Sequence, residues 1–284
     1  MQANLAEFTI LTAINGATAE LTNSSSSPRL DAEILLAHTL GVVRSYLLAW
    51  PERPLLLAQQ QGFTTYINRR AQGEPLAYII GSQEFWSLDF TVTPATLVPR
   101  ADSELLIEII LTTLPAAASL QIADLGTGAG PLALALASAR PAWHVHATDN
   151  NADTLAVAKL NAQRLKISNV SFHLGFWYDA LPNEKFAAII SNPPYVAIND
   201  KDLAPAVARY EPHAALFGGV DGLSDLRHII THANNYLQPQ GLLIVEHGVR
   251  QAGAVTDLFK AAGFEKIVTH QDLSGNDRAT LGVK

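Results

Sequence analysis

Asn192-Pro193-Pro194-Tyr195 follows directly on a short apolar run, Phe186–Ile190, and Ser191. The run reads as a buried strand, and two prolines that cannot donate to a sheet end it abruptly. The plain reading of Asn-Pro is a turn opening. The chemical reading is a rigid loop that presents the Asn192 amide and the Pro193 carbonyl at a strand's C-terminal end, where open α/β sheets bind ligands. A second candidate is "IADLGTGAG", Ile122–Gly130. Its Gly126, Gly128 and Gly130 permit a tight turn and let a ligand approach the loop's backbone N–H groups closely. The dinucleotide fingerprint G-x-G-x-x-G fails, because the sixth position counted from Gly126 is Pro131. Asp149 lies 23 residues after Gly126, at the end of "HVHATDN". A carboxylate there can accept from both hydroxyls of a ribose, or it can cap the next helix, a role open also to Asn150 or Asn151. Trp177 in "GFWYD" offers a face for a flat ring, or is simply core. His228 and His232 in "HIITH" stand one helical turn apart without the glutamate of a zinc helix, so an ordinary helix face is the expectation and no metal is assigned.

These groups need a scaffold, and the periodicity supplies one. Up to about residue 75 the pattern is helical. "SPRLDAEILLAHTLG" has Ser27 suited to an N-cap, Pro28 to the first turn and Gly41 to the C-cap. A further helix is expected from about Leu55 to Gln72. Arg69-Arg70 is expected to lie on a solvated face. From Leu76 to Thr93 the residues alternate, which predicts a β-hairpin. After Pro99, strands are expected near 120–125, 143–148, 170–174, 186–191, 241–247, 265–270 and 278–283. Helices are expected near 101–114, 130–139, 151–166, 222–237 and 249–262. The first five strands are separated by helices or long crossovers and should be parallel; the last two share only a loop and should be antiparallel. The expected organisation is a helical domain over 1–75, a hairpin linker over 76–97 and an α/β domain over 98–284.

Composition narrows the function classes. The chain has 284 residues, 48% hydrophobic and 16% charged, enough for one large or two ordinary domains. It has no cysteine, which excludes disulfides and thiolate chemistry. Residues 1–97 carry 5 basic and 8 acidic side chains and residues 98–284 carry 14 and 18. Neither part has the basic excess of a protein that binds by neutralising phosphates, so no direct nucleic-acid partner is expected. The first 28 residues hold no Lys or Arg, and no apolar run approaches a bilayer span, so a soluble cytoplasmic protein and no membrane partner are expected.

The glycine loop resembles the acidic-x-G-x-G-x-G loop of S-adenosylmethionine enzymes, and seven strands with a closing antiparallel hairpin resemble class I methyltransferases. [D/N]-P-P-[Y/F] after the fourth strand is similar to the motif of methyltransferases that act on planar nitrogen. Such a nitrogen is a poor nucleophile, since its lone pair is delocalised. Two acceptors, Asn192 Oδ1 and the Pro193 carbonyl, can hold its N–H bonds and aim the lone pair, with Tyr195 against the flat substrate. "RLDAEILLAH", "RRAQGEPLAYIIGSQEFW", "PATLVPRADSE", "SNPPYV", "YEPHAALFGGVDGLSDLRHI" and "LLIVEHG" extend the resemblance to nearly the whole chain. It is that of the bacterial peptide chain release factor N5-glutamine methyltransferases, the PrmC/HemK family.

The resemblance implies an N-terminal helical domain, a hairpin linker and a class I (Rossmann-like, seven-stranded) catalytic domain. The cofactor it implies is S-adenosyl-L-methionine, and the protein substrate is a class 1 release factor, methylated at the glutamine of its Gly-Gly-Gln loop. Carried over, Gly126, Thr127, Gly128, Ala129, Gly130, Asp149, Trp177 and Asn192 contact the cofactor. Asn192, Pro193, Pro194 and Tyr195 hold the substrate glutamine, with Asn192, Pro193 and Tyr195 counted as catalytic. The helical domain is expected to dock the protein substrate, because a glutamine side chain offers too little surface for selectivity. "PRADSE" departs from the family's P-R-P-[DE]-T-E at Ala101 and Ser103, Ala129 stands where Thr is frequent, and Phe176 stands where an acidic residue usually precedes the aromatic. The alternatives are a ribosomal-protein glutamine methyltransferase, an adenine-N6 nucleic-acid methyltransferase, which lacks its expected basic surface here, and a non-catalytic binder that keeps the fold.

Overall fold

The computed structural model describes residues Phe8–Lys284. Its contacts divide into two compact units that meet in sequence at Gly81 and Ser82. The first holds helices α1 (Ile10–Leu21), α2 (Pro28–Leu40), α3 (Arg44–Ala49), α4 (Leu57–Ala71) and α5 (Leu76–Ile80). Ile10, Ile14, Leu21, Leu35, Leu36, Phe63 and Ile67 form its core. Gly41 ends α2 in the left-handed region at φ 64°, as its glycine allows. Ser27 is at the N-cap position but gives α2 no side-chain cap; its hydroxyl donates instead to Asp31 Oδ1, at 3.2 Å.

Two expectations fail in this unit. Arg70 is not solvated: its Nε donates to the buried Asp31 carboxylate at 2.7 Å and its guanidinium to the Glu74 carbonyl at 3.1 Å. Arg69 makes a two-pronged pair with Glu74. "LAYII" is a turn of helix rather than a strand, because Pro75 starts it and Gly81 stops it at φ 77°. Five apolar residues carry too little period to separate the two.

The second unit opens with the hairpin β1 (Ser82–Phe85) and β2 (Leu88–Thr91). Its two-residue turn puts Trp86 and Ser87 at positive φ, the geometry that matches strand twist. The remaining elements in chain order are α6 (Glu104–Thr113), β3 (Gln121–Leu125), α7 (Pro131–Ala139), β4 (His144–Asp149), α8 (Ala152–Leu165), β5 (Val170–Leu174), β6 (Phe186–Ser191), α9 (Pro205–Tyr210), α10 (His213–Leu216), α11 (Ser224–His232), β7 (Leu237–Glu246), α12 (Ala252–Ala261), β8 (Glu265–Gln271) and β9 (Asp277–Val283).

The seven strands are ordered β5-β4-β3-β6-β7-β9-β8, with the first five parallel and β9 antiparallel to both neighbours. This is the class I methyltransferase arrangement. Helices cover both faces, so β6 is buried along its whole length, with apolar residues from Phe186 to Ile190 and Ser191 satisfied by the Leu125 carbonyl. Core clusters lie on the two sides, one around Ile107, Leu134, Trp143 and Phe90, the other around Ile189, Ile230, Val255 and Phe259. The chain leaves β3 in one direction to β4 and β5, then returns to β6 on the other side. Between β3 and β6 lies the switch point where ligands enter such sheets.

Candidate active site

A cleft of about 210 Å³ opens at that switch point. Four strand ends feed it: the glycine loop after β3, Asp149 at the end of β4, Phe176 and Trp177 after β5, and Asn192 after β6.

The glycine loop is held by backbone and by one buried acid. Gly126 and Thr127 N–H groups donate to the Thr148 carbonyl at 2.9 and 2.8 Å, which ties the loop to β4. Gly126, Gly128 and Gly130 have φ of 73°, 59° and 89°. A Cβ on Gly126 would lie 2.9 Å from the Trp177 ring, so only glycine permits both the turn and the close approach. Beneath the loop, Asp124 Oδ2 accepts from the Thr127 hydroxyl at 2.7 Å and the Ala133 N–H at 3.1 Å. Complete burial lifts its carboxyl to about 7, against those two donors.

Asp149 faces the loop from β4. Its Oδ2 accepts from the Gly128 N–H and its Oδ1 from the Asn151 N–H, each at 3.0 Å. Burial raises its carboxyl and the backbone donors pull it back. Asn151 is the helix cap, accepting from the Asp153 and Thr154 N–H groups at 2.9 and 3.3 Å. The capping alternative for Asp149 is thereby removed. Trp177 begins a short 3-10 turn at φ 44°, is buried, and lines the cleft with Phe176, to whose ring it stands edge-on at 5.6 Å. Core burial and cleft lining thus coexist in one side chain. Asp225 on α11 brings a carboxyl to the same cleft although Phe176 lacks one; burial raises it, opposed by the Trp177 indole and His228. His228 packs edge-on to Phe176, and His232 Nδ1 is 2.8 Å from the His228 carbonyl of its own helix.

On the opposite rim, Asn192 Nδ2 donates to Ser103 Oγ at 2.9 Å, and Ser103 donates to Glu246 Oε2 at 2.5 Å. The Tyr195 hydroxyl donates to the other oxygen, Oε1, at 3.1 Å. Burial pushes the Tyr195 phenol well up, and it lifts Glu246 to about 7 although Ser103, Tyr195 and Arg278 all favour the anion. The loop backbone is clamped: Gln251 Nε2 donates to the Tyr195 carbonyl at 3.0 Å, and the Val196 and Gly218 N–H groups bond across to the Leu216 and Val196 carbonyls. A Cβ on Gly218 would come within 2.4 Å of the Pro194 carbonyl, so that approach requires glycine. Asn192 and Pro194 line the cleft; Pro193 is buried and Tyr195 stands behind, with its ring 3.7 Å from the Cβ position of Gly248. Arg100, another lining residue, pairs with the buried Glu211 at 2.5 Å, and Glu211 also accepts from the Val98 N–H.

Sequence reasoning gave no role to Ser103, Glu211 or Glu246, and Asp124 entered only as the acidic position of the glycine-loop motif. A signal existed for Glu246: it is the first charge in β7, at the C-terminal end of a buried strand.

Residues 12–81 match the family described as the PrmC N-terminal domain, and residues 102–209 match the methyltransferase small domain. The chain is 46% identical to the release factor glutamine methyltransferase of Coxiella burnetii, over 91% of this chain and 93% of that protein. It is 48% identical to the release factor glutamine methyltransferase of Yersinia pestis, with the same shares covered. The chain belongs to the release factor glutamine methyltransferase family. A solved methyltransferase from Pyrococcus furiosus shares the fold of the second unit's class, at a TM-score of 0.51 and 18% identity over 69% of this chain and 89% of that one.

Proposed function

We propose that this family member transfers a methyl group from S-adenosyl-L-methionine to the side-chain amide nitrogen (N5) of the glutamine in the Gly-Gly-Gln loop of class 1 peptide chain release factors. The observation that carries the reading is that one cleft is shared by the glycine loop with Asp149 and by the Asn192 amide. The cleft residues fit the cofactor. A Cβ at Gly128 would meet nothing within 4 Å, so the loop crest has open space above it, and Asp149 is already aligned by two backbone donors with lone pairs to spare.

Residues Gly126, Thr127, Gly128, Ala129 and Gly130, with Asp149, Trp177 and Asn192, would hold the cofactor. When bound, it supplies an electrophilic methyl group on a sulfonium. The residues of the chain do the rest by position. Asn192 Oδ1 and the Pro193 carbonyl form no hydrogen bond to the described residues, and as acceptors they can take the two N–H bonds of a primary amide. Holding both fixes the amide plane and aims the nitrogen lone pair. Pro193 and Pro194 keep the carbonyl geometry rigid, and Tyr195 secures the loop through Glu246. No strong base is required, since the methylated nitrogen is acidic and can lose its proton to solvent.

The helical unit is assigned the docking of the release factor, because one glutamine offers too little contact for selectivity. Substrates of that class put the work in the cytoplasm; no helix of the described residues is long and apolar enough to cross a membrane. The relatives' names favour release factors over ribosomal proteins as substrate. The test is incubation with labelled S-adenosylmethionine and a class 1 release factor, beside the same factor with its loop glutamine replaced. Label in the first and none in the second supports the reading; equal label in both overturns it.

A further inference from the structure

An asparagine amide has nearly the same shape whichever way it faces, yet only its oxygen can accept a substrate N–H. Something must choose the face presented by Asn192. Ser103 Oγ lies 2.9 Å from Asn192 Nδ2 and 2.5 Å from Glu246 Oε2. A hydroxyl has a single proton. Given to a carboxylate at that short distance, it leaves only lone pairs toward Asn192, which must then turn its N–H to Ser103 and its Oδ1 to the cleft. In its ionised form Glu246 is an acceptor at both oxygens, with Tyr195 donating to the second. The whole chain of donors therefore runs one way, from Asn192 through Ser103 to Glu246.

We infer that Ser103 and Glu246 are positioning residues that fix the polarity of the Asn192 amide and so keep its oxygen on the substrate side. The inference rests on the proposed methyl transfer to an amide. Its geometry is independent of that reading. Ser103 is 4% exposed and Glu246 1%, and a carboxylate that deep is a burden on folding unless something uses it. Arg278 is the cation that favours the anion, although its guanidinium is itself paired at 3.3 Å with Asp102 and with Asp272. The two residues come from the start of α6 and the end of β7, 143 positions apart, and neither lines up with Asn192 in sequence.

The test combines kinetics with a spectroscopic reading that needs neither cofactor nor substrate. In the full chain, the side-chain NH2 protons of Asn192, assigned by NMR, should exchange slowly with solvent in the wild type. They should exchange faster in Ser103→Ala and be slow again in Ser103→Thr, which keeps the hydroxyl. With release factor as substrate, kcat should fall on the order of tenfold or more in Ser103→Ala and in Glu246→Gln, while cofactor affinity by calorimetry stays within about twofold. Ser103→Thr should restore most of the turnover, and the double variant should be no worse than the weaker single, since both break one chain. Unchanged exchange and unchanged kcat in Ser103→Ala overturn the inference, and so do additive losses in the double variant. A wild type that fails to methylate release factor, with exchange still responding to Ser103, sinks the proposed substrate and leaves the positioning role standing.

Discussion

The two rims of the cleft solve the same problem by different means. The glycine rim places main-chain N–H groups: three positive-φ glycines, Thr127 and Asp124 shape it from within a few residues, and β4 anchors it through the Thr148 carbonyl and Asp149. The Asn192 rim places one side-chain oxygen and one carbonyl, and its conformation depends on Ser103, Gly218, Glu246 and Gln251, drawn from three distant stretches. Each rim rests on a buried carboxyl that burial lifts to about 7, Asp124 on one side and Glu246 on the other. A backbone cradle can be specified locally because its donors are identical at every residue. A directed side-chain acceptor cannot, because its direction is set by whatever stands behind it.

Asn192→Ala should have the largest effect and the most one-sided. It removes the acceptor and leaves a substrate donor unpaired, so kcat should fall by on the order of 10²-fold or more with far less change in cofactor affinity. Asn192→Asp keeps oxygen acceptors and should retain intermediate activity, with cofactor affinity close to wild type. If both variants lower thermal stability and leave turnover per folded molecule intact, this rim is only a turn, and the contrast between rims collapses.

Gly126→Ala should act on the other rim and in the other parameter. The left-handed backbone alone costs a non-glycine residue about 1–2 kcal/mol, and the new methyl meets the Trp177 ring at 2.9 Å. Calorimetry should show weaker cofactor binding alongside a lowered melting temperature. A variant that binds cofactor normally would show that the close approach of ring and loop is not needed.

A loss of roughly 1–3 kcal/mol in cofactor affinity is the expectation for Trp177→Ala, the scale of base-aromatic stacking. Because Trp177 is only 8% exposed, unfolding must be followed in the same samples. An affinity that is unchanged in a folded variant would make this side chain core alone.

A separate reading, on stability alone, is the pH response of the two buried acids. A carboxyl whose folded value is raised binds protons more readily folded than unfolded between the two values, so its contribution to stability declines as pH rises through that window. For Asp124 the window runs from the ordinary 3.8 to about 7, and for Glu246 from 4.5 to about 7. Asp124→Asn and Glu246→Gln should therefore gain melting temperature relative to wild type as pH rises across it, then level off. A difference that stays flat with pH would mean the buried groups do not titrate there. Both rims then carry a stability burden near neutral pH, and only the Asn192 rim converts it into a directed acceptor.

How much of this was legible follows the same division. "IADLGTGAG" announced the strand, loop and helix, and its glycines take the positive φ values that the spacing suggested. "SNPPY" announced a loop at a strand end. The pattern after Pro99 gave seven strands at nearly their observed positions; central strands such as β3 and β6, buried on both faces, are the nearly continuous apolar runs among them. It missed α9 and α10, which are too short for a helical period to register. "LAYII" was misread for the same reason. Arg70 was placed on a solvated face because its partner Asp31 is 39 residues away. "PRADSE" and "LLIVEHG" carried the family resemblance without showing why Ser103 and Glu246 belong near Asn192.

The sequence by itself determined the α/β scaffold, the glycine turn and the rigid ending of β6, because hydrophobic period, glycine freedom and proline's missing donor are properties of residues and their near neighbours. Only the tertiary structure decided that Asp149 turns to the Gly128 N–H of the glycine loop, that Trp177 both fills the core and walls the cleft, and that Ser103 takes the Asn192 N–H. Those outcomes depend on which groups the sheet order β5-β4-β3-β6-β7 brings within contact or hydrogen-bond reach. A hydrogen bond has to satisfy distance and direction together, and across 89 residues of chain between Ser103 and Asn192 neither is written in the spacing.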